Sequence, residues 1–106
     1  MKSATIVFLT GTLALIGAAV AFSPDDVLDH GKEVYAVQKC ALCHSISGIG
    51  GKKKQLDGVG SRLKPEEIQK WIRTPKEMKS GTTMKAYPNL PEKDLDDLTS
   101  FLMTLK

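Results

Sequence analysis

Apolar positions fall into four blocks along the chain. The first is nearly continuous: Ala4 to Val20 is broken only by Thr and Gly. The other three recur at helical spacing. Val27, Gly31, Val34 and Tyr35 share one face of a helix that Ser23 caps, Pro24 begins, and Asp25 and Asp26 favour at its positive end. This helix is expected to run to Val37 or Gln38. Ile68, Trp71 and Ile72 form the apolar face of a second helix, started by Pro65 and ended by Pro75. Leu95, Leu98, Leu102 and Leu105, with Phe101 beside them, make the stripe of a last helix that Pro91 opens, with Glu92 and Asp94 in its first turn. Residues 47–60 hold five glycines and three consecutive lysines and read as a loop, as do residues 76–90. No stretch reads as a strand, and no repeat is present. The pattern predicts an all-α domain whose leucine stripe packs on the first helix. Gly31 is then a notch for close approach, because a glycine inside a helix costs about 1 kcal/mol relative to alanine.

The first block is of a different kind. Met1-Lys2-Ser3 is a short cationic lead, the apolar run follows, and Ala19-Val20-Ala21 is a small-x-small cleavage site. Residues 1–21 read as a secretory signal peptide cut after Ala21, with an uncleaved anchor as the alternative. Export to the periplasm follows. Residues 22–106 would be the mature domain, a chain short enough to need a staple beyond its own thin core.

Charge adds an asymmetry. The formal net charge is +3, yet residues 39–85 carry eleven Lys and Arg against four acids, whereas residues 22–38 and 86–106 are both net acidic. Such a dipole steers the middle of the chain toward acidic partner proteins. Nucleic acid is not an expected partner, since export and the lack of a binding motif oppose it. No membrane association is expected after cleavage.

The candidate chemistry lies inside the basic segment. Cys40-Ala41-Leu42-Cys43-His44 contains the only two cysteines of the chain and has the Cys-x-x-Cys-His pattern of covalent haem attachment. Two thiols at this spacing can add to the two vinyl groups of one haem, and the histidine that follows can ligate the iron. Zinc would need about four ligands, and only His30 and His44 can join the thiols. An exported cysteine pair otherwise becomes a disulfide. A haem held through two thioethers also supplies the missing staple. His30, on the first helix, reads as a surface residue without a role.

The ligand opposite His44 decides between electron transfer and ligand chemistry. Met84, in the loop Gly81-Thr82-Thr83-Met84-Lys85-Ala86-Tyr87-Pro88, is the leading candidate. Met78 follows Pro75-Lys76-Glu77 in what reads as a short helical turn, and Met103 lies off the leucine stripe. Trp71 has an indole N–H that needs a partner when buried, either a haem propionate or none beyond core packing.

Taken together, these residues resemble the small monohaem class I c-type cytochromes over nearly the whole mature chain. The resemblance is carried by Gly31 and Tyr35, Cys40 to His44, Leu56-Asp57-Gly58-Val59-Gly60, Trp71 to Pro75, Met84 to Tyr87, and Leu98 to Leu102. It implies a cytochrome c fold, all-α, with three to four helices wrapped around one covalent haem and the N- and C-terminal helices crossing. It implies that Gly31 and Tyr35 meet Leu98 and Phe101 at that crossing, and that Met84 is the sixth ligand. In one respect the chain departs from the family. The usual proline before the position of Leu56, whose carbonyl accepts the N–H of the ligating histidine, is replaced here by Lys54 and Gln55. Lys85 also stands where many relatives have proline.

The function expected from this reading is that of a periplasmic one-electron carrier rather than an enzyme. It would bind one covalent haem c through Cys40 and Cys43, have His44 and Met84 as axial ligands, and act as a monomer or in transient complexes. The alternatives are a haem subunit of a periplasmic dehydrogenase, and a gas sensor if Met84 is not a firm ligand.

Overall fold

The computed structural model describes residues 10–12 and 23–106; the cleavage site and most of the leader lie outside the described residues. The fold is mainly helical. Helix α1 spans Pro24–Val37, and a single 3-10 turn, Cys40–Leu42, follows it. Three short strands come next: β1 (His44–Ile46), β2 (Ile49–Gly50) and β3 (Lys54–Gln55). Helices α2 (Val59–Arg62), α3 (Pro65–Arg73), α4 (Pro75–Met78) and α5 (Glu92–Met103) complete the chain.

Local sequence explains the helix ends. Ser23 accepts from the Asp26 N–H at 3.3 Å and donates its own N–H to the Asp26 carboxylate at 3.4 Å, a reciprocal cap. Pro65 occupies the first turn of α3, where a missing N–H costs nothing. Pro75 stops α3 and then serves as the first residue of α4, so the expected turn before Met78 is a separate four-residue helix. Pro91 caps α5 and its carbonyl accepts from the Leu95 N–H at 2.9 Å.

The core is the predicted one. Val34, Ile68, Ile72, Leu95, Leu98, Phe101 and Leu102 are all buried in one cluster with Val59 and Leu90. Helices α1 and α5 form the dominant packing pair. At Gly31 a Cβ would collide with the Asp97 carbonyl and come within 2.7 Å of the Phe101 Cβ. The glycine is therefore what lets the two helices cross. One turn later, Tyr35 meets Phe101 edge to face, with ring centroids 6.0 Å apart.

The absence of strands was the wrong expectation. Residues 47–60 hold two strands and the start of α2. The three strands form a small sheet in the order β2-β1-β3, with β1 antiparallel to β2 and parallel to β3. Strands of two or three residues are too short to show alternation. Their pairing comes from contact with the attachment segment: Gly51 packs its backbone against the Leu42 carbonyl, where a Cβ would not fit, and its N–H reaches the Ala41 carbonyl at 2.7 Å.

Candidate functional site

Helix α1 delivers the chain to the cysteines. Its C-cap is Gln38, and Lys39 then takes a left-handed conformation, φ 58°, which turns the backbone into the 3-10 turn. Cys40 is half-buried and Cys43 exposed, and both thiols are free. They lie one tight turn apart with no disulfide between them.

His44 opens β1 immediately after the turn. Its Nδ1 is 3.3 Å from the carbonyl oxygen of Lys54. A carbonyl only accepts, so Nδ1 carries the proton and Nε2 keeps its lone pair. Burial lowers the His44 pKa, the Lys54 carbonyl opposes this by raising it, and the positive charge of Lys54 lowers it again. The imidazole is thus a neutral, oriented donor, the state a metal ligand requires. The family's proline is absent, but its work is done by strand pairing. His44 is in register with Lys54, the Lys54 N–H reaches the Cys43 carbonyl at 3.3 Å, and the Leu56 N–H reaches the Ser45 carbonyl at 2.8 Å.

Met84 sits on the loop between α4 and α5. It is half-buried against the core, and its N–H donates to the Thr82 hydroxyl at 3.2 Å. A cavity of about 630 Å³ opens beside it, bounded by Arg73, Pro75 and Thr82 to Ala86. Cys40, Cys43 and His44 do not line this cavity, so it belongs to the Met84 side alone. What ties the Met84 loop to the attachment segment is Tyr87. Its hydroxyl donates to the Gln38 carbonyl at 3.1 Å, two residues before Cys40, and its N–H donates to the Ile72 carbonyl at 2.9 Å. Burial first, then the nearby Cys40 and Cys43, raise the Tyr87 pKa. Met78 is half-buried on α4, Met103 is half-buried against the core at the end of α5, and Trp71 is half-buried on α3.

These residues fit a covalently held haem. Two unpaired thiols stand beside a neutral imidazole, and the hydroxyl of Tyr35, next to this segment, is buried with no hydrogen-bond partner. Among the described residues no group of three or more His, Cys, Asp and Glu side chains is placed to hold a bare metal ion.

Sequence reasoning missed two features. His30 is not a surface residue without a role: its Nδ1 is 2.6 Å from the Asp97 carboxylate and its Nε2 3.4 Å from Asp94, joining α1 to α5. The signal was its place beside Gly31, facing an acid next to Leu98. The Tyr87 tether was invisible because its acceptor is a backbone carbonyl.

Residues 28–106 match the family model described as Cytochrome c. The chain is similar to the protein named cytochrome c oxidase subunit 2 of Alkalihalophilus pseudofirmus, 28% identical over 101 residues that cover 86% of this chain and 29% of that one. It is likewise similar to the protein of that name from Bacillus sp. (strain PS3), 29% identical over 97 residues covering 77% and 27%. The chain thus spans under a third of the length of these relatives.

Proposed function

The chain belongs to the cytochrome c family, and on that premise we propose that it is an exported one-electron carrier with a single haem c held by Cys40 and Cys43 and ligated by His44 and Met84. The observation that carries this reading is the His44 ring, neutral and oriented by the Lys54 carbonyl, directly after two unpaired thiols. When bound, the haem supplies a one-electron couple. Cys40 and Cys43 would hold it by adding their S–H bonds across its two vinyl groups, an addition that needs no oxidant. His44 would ligate the iron through Nε2, and Met84, on the loop that Tyr87 ties down, would supply the thioether ligand. A thioether ligand favours the reduced state relative to a second histidine. Ligation by both His44 and Met84 would leave no position on the iron for a substrate, which is the basis for reading a carrier rather than an enzyme.

Residues 1–21 act in this reading as the export signal. No helix among the described residues is long and apolar enough to cross a membrane. The partner is a protein with an acidic docking surface, and the similarity to cytochrome c oxidase subunit 2 supports a terminal oxidase as the acceptor. Among the described residues the large hydrophobics that stay exposed are Val37, Leu42 and Ile49, at 65%, 74% and 79%; Leu42 lies within the attachment segment, the other two lie on either side of it in sequence, and they would form the contact. The same patch supports a second reading, a permanently docked haem subunit. The test is to express the full chain with a haem-attachment system. The haem should stay with the polypeptide under denaturing conditions, and the double variant Cys40→Ala/Cys43→Ala should lose it. Haem that dissociates from the wild type on denaturation would refute the covalent reading.

A further inference from the structure

Met84 lies within residues 79–91, a connection without helix or strand between α4 and α5. Pro88 and Pro91 bring no N–H to it, so it has few means of tying itself down. Its holds come from outside. Tyr87 donates its hydroxyl to the Gln38 carbonyl at 3.1 Å and its N–H to the Ile72 carbonyl at 2.9 Å. The next residue on each side repeats the grip. Arg73, after Ile72, donates Nη1 to the carbonyl of Pro88, after Tyr87, at 2.8 Å. Its Nη2 donates at 3.0 Å to the carboxylate of Glu92, in the first turn of α5. One guanidinium thus joins the end of α3, the Met84 loop and the start of α5.

A cation in the last turn of α3 has a simpler use, since it suits the negative end of the helix dipole. A lysine would serve that purpose as well, and of the fifteen basic residues only Arg62 and Arg73 are arginine. What lysine lacks is the planar fork that holds two acceptors at once. Arg62 likewise donates Nη1 to a backbone carbonyl, that of Asp57, at 2.7 Å. The Arg73 side chain is 25% exposed and that of Glu92 80%, so the guanidinium is the sheltered member and Glu92 the outer one that orients it. Arg73 also bounds the cavity beside Met84.

We propose that Arg73 is a positioning residue: its fork keeps the loop closed through Pro88 and so keeps the Met84 thioether on the iron. This rests on the ligation by Met84 proposed above. Opening the loop requires the Pro88 carbonyl to leave the guanidinium. Arg73 therefore opposes the exchange of Met84 for a competing ligand without itself touching the iron.

The test is a titration of the haem-loaded full chain, in the ferric state and well below its unfolding temperature, with imidazole. Displacement of Met84 is read as loss of the far-red sulfur-to-iron band. Arg73→Gln and Arg73→Lys should both bind imidazole about tenfold more tightly than the wild type, the low end of what a hydrogen bond from a charged donor contributes. Glu92→Gln should tighten binding about twofold, as suits an exposed ion pair, and should add nothing in the Arg73→Gln background. A Glu92 effect that persists there would count against the fork. Wild-type imidazole affinity in both Arg73 variants, whatever their thermal midpoints, overturns the proposal and leaves Arg73 a purely structural role. Wild-type affinity in Arg73→Lys alone overturns it too, because only the charge would then matter. A wild type with no far-red band before imidazole is added would instead sink the ligation by Met84 on which the proposal rests.

Discussion

Single residues decide the two best-defined local energetics of this chain. Lys39 sits at φ 58°, a region in which a side chain costs about 1–2 kcal/mol and glycine costs nothing. Lys39→Gly should therefore raise the thermal midpoint, by a stabilisation of about 1 kcal/mol after the entropy glycine adds to the unfolded chain; calorimetry of the haem-loaded protein checks it. Asp97 is the second case. It is buried, and its pKa is held below the usual carboxylate range, chiefly by the hydrogen bond from Lys93 at 2.8 Å, against the opposing effect of burial, with His30 at 2.6 Å adding to the lowering. A depressed carboxylate pKa stabilises the fold above the unfolded value, 3.8, and that contribution is lost as pH falls through the lower folded value. Asp97→Asn should cost about 1–3 kcal/mol at neutral pH, since a charge-assisted pair becomes a neutral one. It should also flatten the acid limb of the stability profile, which a set of denaturant titrations between neutral and acid pH would show.

The elements show what was legible in the chain and what was not. The long helices α1, α3 and α5 follow from periodic apolar positions bounded by Ser23, Pro65 and Pro91, because a stripe several turns long leaves a repeating signal. The notch at Gly31 follows too, since nothing but a close crossing justifies glycine there. Glycine to alanine at this position should destabilise by about 2–3 kcal/mol rather than gain helix propensity, as the added methyl meets the Asp97 carbonyl; equilibrium unfolding decides between the two signs. The sheet of β1, β2 and β3 and the four-residue helix α2 were not legible, whereas α4 was readable as a short turn after Pro75. The strands and α2 are too short for periodicity, and tertiary contact forms them: the strands against the attachment segment, α2 against α5. The same sheet explains how this chain manages without the family's proline. A backbone pairing places the Lys54 carbonyl at His44, and backbone pairings leave little trace in side-chain sequence. Of the candidate site, the cysteines and His44 were readable as a motif, whereas the Tyr87 tether between the Met84 loop and Gln38 required the fold.

At the scale of the molecule, charge and exposure converge on one segment of the chain. Lys39, Lys52, Lys53 and Lys54 are exposed within residues 39–54, the segment that also bears Leu42 and Ile49. An apolar centre with a basic rim suits brief contact with an acidic surface, in which charge sets the encounter rate and the apolar patch the fit. Electron transfer to such a partner should slow as ionic strength rises, because screening shortens the reach of the lysines to about 8 Å at physiological salt. Stopped-flow oxidation of the reduced protein by a bacterial terminal oxidase across a salt series measures this, and a rate independent of salt would count against electrostatic docking. All of it depends on a closed coordination by His44 and Met84. The most direct test is the far-red absorption of the ferric protein, compared with that of Met84→Ala. A weak sulfur-to-iron band present in the wild type and lost in the variant, together with a ferrous wild type inert to carbon monoxide, is the predicted result. A high-spin wild type, or one that binds carbon monoxide readily, would contradict the carrier and place ligand chemistry at the iron instead.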